Sequence, residues 1–161
     1  MANPVRITQL IPPFLDRLLD DDSHIPTDTG QGTWTTLSKF KSFVARDLET
    51  LLNTRCAAPT DEDLEAFPRA KESFLTYGIM DLSGMSMKNP DDQAHVRDNI
   101  RAAIERHEPR LSHVSVSLEP SKGTIRVLHF RVDAKLAFPG RPAVAFDALL
   151  ELSSSTYKVN H

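Results

Sequence analysis

The sequence contains very little cysteine, the residue whose disulfides stabilise small secreted folds. It holds one cysteine, Cys56, among 161 residues. A single cysteine cannot form an intramolecular disulfide, so the disulfide-stabilised folds of secreted proteins are excluded. Because Cys56 follows the end of a predicted helix without a recognisable redox or metal motif, we interpret its thiol as inert.

Glycine, tryptophan and tyrosine are also scarce, with six, one and two residues respectively. The chain contains no Gly-x-Gly-x-x-Gly or Walker pattern, so no phosphate-binding loop is predicted. Ser83 and Ser86 do not lie in the Gly-x-Ser-x-Gly elbow of serine hydrolases. The six histidines form no helical His-x3-His pair, so neither a metal site nor a cofactor is expected.

Charge and hydropathy exclude two further classes of protein. The net charge is -3, and lysine and arginine are spread along the chain, so a nucleic-acid partner is not expected. No apolar run approaches the roughly 20 residues that a membrane-spanning helix needs. Residues 1–10 lack the layout of a signal peptide. We therefore expect a cytoplasmic protein that does not insert directly into the membrane.

What the sequence does contain is a clear helical period in its first half. The apolar residues of the first long segment follow spacings of 3, 4, 4 and 3, and they are Leu37, Phe40, Val44, Leu48 and Leu51. Thr35 or Thr36 is suited to cap this helix. A second helix is predicted to start near Pro90 or Asp91, with Asn89 as its cap. It is predicted to end near His107, because Pro109 forces the residue before it out of helical geometry.

After residue 110 the apolar period changes from 3.6 to 2, which is typical of strands. Turns at 120–123 and 139–142 divide this region into three strands, and a short fourth is expected near 156–159. The predicted fold class is α+β, with N-terminal helices packed on one face of a C-terminal antiparallel β-meander of three to four strands. Residues 143–159 are expected to offer an open sheet edge to a partner strand.

The domain organisation follows from the composition of the N-terminal region. Residues 1–33 are interpreted as an N-terminal arm with a short helix at 14–20 and a linker rich in Thr, Gly and Asp. Residues 34–161 are interpreted as a single α+β domain. Between its two helices, 60–90 are expected to form short turns and a loop, with Phe74, Leu75 and Tyr77 packed inward.

Glycoside hydrolysis is the enzymatic alternative that the acidic residues raise, because it needs two carboxylates facing across a cleft. The candidate acids are Glu49, Glu65, Asp81 and Glu108. However, Glu49 lies beside Arg46 on a polar helix stripe, and Glu108 precedes Arg110 by two residues. Glu49 and Glu108 are therefore interpreted as ion-pair partners of these arginines.

The polar residues that remain form a constellation without an evident reaction. On the first helix and its end they are Arg46, Asp47, Glu49, Asn53 and Arg55. The run Glu108-Pro109-Arg110 follows the second helix, and two interpretations of it stay open. It is either a surface salt bridge of little energetic weight, or a proline-fixed plug whose Arg110 clamps a partner's carboxylate. On the second interpretation, Arg110→Ala leaves the fold intact and weakens partner binding.

Four segments resemble the TssE family, the baseplate subunits of bacterial type VI secretion systems. Along the chain they keep the order that they have in that family. They are VARDLETLLNTR at 44–55, YG at 77–78 with DLS at 81–83, EPRL at 108–111, and PPFLDRLLD at 12–20. This family is similar to the T4 phage baseplate wedge protein and was once labelled lysozyme-like. The chain departs from the family pattern at Thr50, Met80 and His107. These departures are expected to affect local packing more than function.

The resemblance implies a structural protein of a contractile injection machine rather than an enzyme. Its implied partners are the wedge proteins TssF, TssG and TssK and the sheath proteins TssB and TssC, whose assembly it initiates at a baseplate docked on the inner-membrane complex. The family's Glu-Pro-Arg motif contacts the wedge core, and this role carries over to Glu108, Pro109 and Arg110. A peptidoglycan hydrolase and a small regulatory adaptor remain the alternatives.

Overall fold

The computed structural model describes residues 10–14, 16, 35–56, 66–71, 73–82, 84–86, 89–119, 127–138, 140, 142–151 and 156–160. The chain divides into two compact units, residues 1–44 and residues 45–161. Each unit is described by itself below. The predicted boundary between residues 33 and 34 lies in a stretch outside the described residues and stays a prediction.

The first unit shows how the chain enters its first long helix. The N–H of Thr35 donates to the carbonyl of Leu10 at 2.9 Å, which forms an isolated antiparallel bridge. The hydroxyl of Thr36 then accepts the N–H of Lys39 at 3.2 Å, so Thr36 is the cap of helix α1, Leu37–Asn53. Most of the helix predicted at 14–20, and all of the linker after it, lies outside the described residues.

In the second unit, the end of α1 is joined to a loop that passes beside it. The N–H of Ile79 donates to the Thr54 carbonyl at 2.9 Å, and the N–H of Cys56 donates to the Ile79 carbonyl at 2.8 Å. Gly78 has a φ of 113°, and a Cβ at this position would lie 2.4 Å from the Thr54 carbonyl oxygen. Only glycine fits this close approach at that φ, which explains the Tyr77-Gly78 pair.

Residues 66–77 form short helical turns, as predicted, but the expected inward packing of two residues is wrong. The turns are helix α2, Pro68–Lys71, and a 3₁₀ turn, Phe74–Thr76. Phe74 and Leu75 are 84% and 55% exposed, whereas Thr76 is 2% exposed. A single 3₁₀ turn presents about one residue in three to the core, and here that residue is Thr76.

Helix α3, Pro90–His107, confirms the second predicted helix. The side chain of Asn89 accepts the N–H of Asp91 at 3.1 Å, and Pro90 occupies the first turn, where its missing N–H is harmless. The buried face repeats with the helical period and consists of Val96, Ile100, Ala103 and Ile104. This face packs α3 against the first strand of the sheet.

The sheet has four antiparallel strands in the order β1-β2-β3-β4, which confirms the meander and the α+β class. The strands are β1, Leu111–Glu119; β2, Val127–Leu136; β3, Ala143–Glu151; and β4, Thr156–Asn160. Alternate residues are buried on one face, among them Val116, Phe130, Val132, Phe146, Ala148 and Tyr157. This face and the apolar residues of α3 and of the C-terminal part of α1 form the core of the larger unit.

Candidate partner-binding site

The Glu-Pro-Arg motif forms the connection between α3 and β1. Glu108 caps α3, because its N–H donates to the Ile104 carbonyl at 2.9 Å. Its own carbonyl accepts the N–H of Leu111 at 3.0 Å, and the Arg110 carbonyl accepts the N–H of Ala137 at 2.7 Å. These three bonds fix the backbone on both sides of Pro109, which is exposed.

The side chains of this connection bind each other rather than pointing into solvent. Glu108 is only 5% exposed. Its Oε1 accepts the Arg110 backbone N–H at 3.2 Å and the Arg110 Nε at 2.5 Å, while its Oε2 accepts Nη2 of the same guanidinium. The bidentate clamp that was predicted for a partner's carboxylate is therefore made with a carboxylate of the same chain.

A third and a fourth charge extend this pair to helix α1. The Nη2 of Arg110 also donates to Oδ2 of Asp47 at 2.8 Å, across 63 positions of sequence. Oδ1 of Asp47 accepts Nε and Nη2 of Arg46 at 3.2 and 3.0 Å. The charged network, defined as Arg46, Asp47, Arg110 and Glu108, runs from a half-exposed arginine to a buried glutamate.

The network differs from a weak surface salt bridge, because Glu108 is buried and Arg110 is bound by both Glu108 and Asp47. Partial burial alone lowers the pKa of the Arg110 guanidinium, but the bonds and charges of Glu108 and Asp47 outweigh it, so this pKa lies above its ordinary value. Burial also raises the pKa of the nearby Tyr77 phenol, and the charges of Asp47 and Glu108 raise it further. Removing one member of a buried pair leaves the other charge uncompensated.

His107 shows how a departure from the family pattern is accommodated next to the motif. Its ring meets that of Tyr77 edge to face, with 5.3 Å between centroids. Its Nε2 lies 2.8 Å from the Thr76 carbonyl oxygen, to which it donates. The imidazole thus packs as an aromatic ring and satisfies a backbone carbonyl at the same time.

Two other predicted site residues, Glu49 and Asn53, face the last strand of the sheet. The Asn53 amide accepts the Tyr157 N–H at 2.8 Å and donates to the Tyr157 carbonyl at 2.9 Å. A carboxylate oxygen of Glu49 accepts the Val159 N–H at 3.1 Å. We call these four residues the edge lock. The expectation of an open edge at β4 is corrected, because α1 places polar side chains on the strand's outward backbone groups.

Arg55 stands apart from both groups. Its guanidinium lies 3.9 Å from the Asp81 carboxylate, and both side chains are more than half exposed. Such a pair contributes little to stability. The eight predicted site residues therefore divide among the charged network with Pro109, the edge lock, and this exposed pair.

Neither of these two long-range contacts was predicted. Asp47 and Arg110 are separated by 63 positions, and the edge lock spans 104 to 110 positions. The available signal was the i, i+4 spacing of Glu49 and Asn53, which places both on one stripe of α1. That stripe was expected to bind a partner, and in the structure its Glu49 and Asn53 bind β4 of the same chain.

The acidic candidates for catalysis are bound within the chain or lie outside the described residues. Glu108 is bound by Arg110, Glu49 accepts a backbone N–H, Asp81 lies near Arg55, and Glu65 lies outside the described residues. In the described ranges no group of three or more His, Cys, Asp or Glu side chains is placed to hold a metal ion. No helix in those ranges has the length and apolar character needed to span a bilayer.

Fold and site together define an α+β protein, in which a helix and a four-stranded sheet are tied by polar side chains at a fixed turn and at a strand edge. The family model of baseplate wedge protein gp25 matches residues 38–139. Since this match spans more than half of the sequence, the chain belongs to that family, and the resemblance to TssE proteins is confirmed.

A solved structure supports the same assignment at the level of the fold. The chain is similar to one from "The baseplate complex from the type VI secretion system", with a TM-score of 0.50 and 15% sequence identity. The similarity covers 70% of this chain and 93% of that chain. A comparison with curated proteins finds no significant match. The family and the fold together support a structural role in a baseplate.

Proposed function

We propose that this protein is a non-enzymatic subunit of a type VI secretion baseplate, which joins the wedge and initiates the contractile sheath. The wedge partners are TssF, TssG and TssK, and the sheath partners are TssB and TssC. Its place of action is the cytoplasmic baseplate docked on the inner-membrane complex. The proposal combines the family membership with the geometry of the Glu108-Pro109-Arg110 connection.

The observation that carries the proposal is the fixed form of that connection. Pro109 is exposed while the residues on both sides of it are held by backbone bonds and by the charged network. A projection that is already ordered loses little conformational entropy on binding, which favours its use as a contact surface. Arg110 keeps a quarter of its side chain exposed and completes this surface.

The acidic residues support a role without catalysis. A glycosidase needs one carboxylic acid with a raised pKa and a second carboxylate across a cleft. Glu108 instead accepts three hydrogen bonds from one arginine, and Glu49 accepts a bond from β4. Both are committed to holding the fold, so a purified sample is expected to leave peptidoglycan intact.

The test is co-purification with the wedge proteins TssF and TssG. The unchanged protein is expected to form a stable complex, and Pro109→Asp is expected to weaken it at least about tenfold, because a charge is placed in the contact. Ala102→Asp is the matched control, since it adds the same charge at another exposed position. Absence of a complex, or equal weakening by both variants, would contradict the proposed contact.

A further inference from the structure

Three large apolar side chains are exposed on the short turns that precede Tyr77. Phe67, Phe74 and Leu75 are each more than half exposed. Phe67 directly precedes α2, and α2 contacts the 3₁₀ turn that carries Phe74 and Leu75. Burial of apolar side chains is favourable in proportion to their area, and the isolated chain leaves this gain unused. We call these three residues the apolar patch.

The exposure of Phe74 and Leu75 is fixed by the bonding of the 3₁₀ turn. The hydroxyl of Ser73 accepts the Leu75 N–H at 3.3 Å, and the Phe74 carbonyl accepts the Tyr77 N–H at 3.1 Å. Thr76 fills the inward position of the turn, and its hydroxyl donates to the Ser73 carbonyl at 3.0 Å. Turning Phe74 inward would require Thr76 to leave the core. The two apolar side chains are therefore held outward in one arrangement.

The same turn is bonded to the residue that precedes the Glu-Pro-Arg motif. Nε2 of His107 donates to the Thr76 carbonyl at 2.8 Å, and the His107 ring meets that of Tyr77. Phe74 and Pro109 each lie two residues from this contact, which is at most about 8 Å along the chain. A standard protein interface covers about 800 Å² on each partner. Both residues therefore lie within the area that one such interface covers.

We propose that the wedge protein that contacts Pro109 also receives the apolar patch, and that it buries Phe74 and Leu75 in an apolar pocket. The interface then has the usual two parts. The aromatic and aliphatic side chains supply the desolvated centre, and the exposed edge of Arg110 belongs to the polar rim. The inference rests on the proposed function and names the apolar contact that the same interface uses.

The pre-ordered turn explains why this contact is able to be strong. An exposed side chain on a flexible loop loses conformational freedom when a partner binds it, and this loss opposes binding. Here the backbone on both sides of Phe74 is already bonded, through Ser73 and through Tyr77. A fixed aromatic side chain that enters a pocket is a typical energetic centre of an interface.

The affinity for purified TssF and TssG tests the patch. Phe74→Ser and Leu75→Ser are each expected to weaken the complex at least about tenfold, because each removes apolar area from the pocket. Leu37→Ser is the matched control, since it makes the same change at an exposed leucine outside the patch, and it should stay within about threefold. All three variants should keep the midpoint of urea unfolding, because the exchanged side chains are exposed.

The outcomes separate this inference from the proposed function. Weakening by both patch variants, with Leu37→Ser unchanged, supports the inference. Unchanged affinity of the folded patch variants, while Pro109→Asp weakens the complex, overturns the inference and leaves the proposed function standing. Absence of a complex with the unchanged protein overturns both.

Two further outcomes would assign the patch to another occupant. If the patch variants lose capture of TssB and TssC but keep the wedge complex, the patch binds the sheath. If the unchanged protein forms a dimer in sedimentation that both patch variants abolish, the patch binds a second copy of the chain. Either result overturns the inference.

Discussion

The charged network and the edge lock use the same helix in two different ways. Asp47 reaches from α1 to the α3–β1 connection, while Glu49 and Asn53 reach from α1 to β4. The network contains one buried ion, Glu108, so the loss of Arg110 leaves that carboxylate without compensation. The edge lock is partly exposed and bonds neutral backbone groups, so water replaces a lost partner more easily. The charged network is therefore expected to contribute more to the free energy of unfolding than the edge lock does.

The largest effect is expected from removing the arginine of the charged network. Arg110→Ala leaves the buried Glu108 carboxylate unpaired and should lower the free energy of unfolding by about 3–5 kcal/mol. This outcome is the opposite of the sequence-based expectation that the substitution leaves the fold intact, and the unfolding measurement decides between the two. Urea unfolding measures the effect, and Arg101→Ala, on the exposed face of α3, is the control. A loss below about 1 kcal/mol, typical of an exposed pair, would contradict the buried character of the network.

The next effect concerns the loop that passes the end of α1. Gly78→Ala places a Cβ 2.4 Å from the Thr54 carbonyl oxygen at a φ of 113°. The expected destabilisation is about 3 kcal/mol, because left-handed strain adds to the displacement of backbone.

Gly140→Ala supplies the comparison for this substitution. Gly140 has a φ of 92°, but none of the described residues places an atom within 4 Å of the added Cβ. Gly140→Ala should lower the free energy of unfolding by about 1–2 kcal/mol, because only the backbone strain acts at this position. Equal thermal unfolding of the two variants would show that the contact with Thr54 is unimportant.

The edge lock is expected to contribute less than the charged network. Asn53→Ala removes two bonds to Tyr157 and should destabilise the protein by about 1–2 kcal/mol in urea unfolding. Amide exchange at Tyr157 should accelerate by about the same free energy, while exchange at Ile100 in α3 should follow global stability alone. A loss as large as that of Arg110→Ala would remove the distinction between the two groups.

The smallest effect at neutral pH concerns the Tyr157 hydroxyl. It is buried and has no hydrogen-bond partner among the described residues. Tyr157→Phe removes this unpaired group and should raise the free energy of unfolding by about 0.5–1 kcal/mol at pH 7. The edge-to-face contact with Phe130, at 5.9 Å between centroids, is kept.

The same substitution also changes the dependence of stability on pH. Burial raises the pKa of Tyr157 above its ordinary value, so the unfolded state loses its proton first as the pH rises. Stability should therefore fall from about pH 10 upward, where the unfolded tyrosine begins to ionise. Tyr157→Phe should flatten this fall in urea unfolding between pH 8 and 11. An unchanged slope would contradict the burial of this phenol.

Much of the fold was predictable because its signals are local. The apolar spacing in 37–51 and the alternation after residue 110 predict α1 and the meander, and Pro109 predicts the end of α3. The exposure of Phe74 was missed, since the orientation of a three-residue turn depends on which residue meets the core. The two groups of polar contacts join residues more than 60 positions apart, and one sequence contains no signal for such pairs.

We expect the signature charges of α1 and of the α3–β1 connection to hold the fold together in the isolated protein. A double-mutant cycle of Asp47→Ala and Arg110→Ala on the free energy of unfolding tests it most directly, with Arg55 and Asp81 as the exposed control pair. The predicted coupling is about 1.5–3 kcal/mol for the first pair and below about 0.5 kcal/mol for the control. Additive effects in the first cycle would contradict the claim.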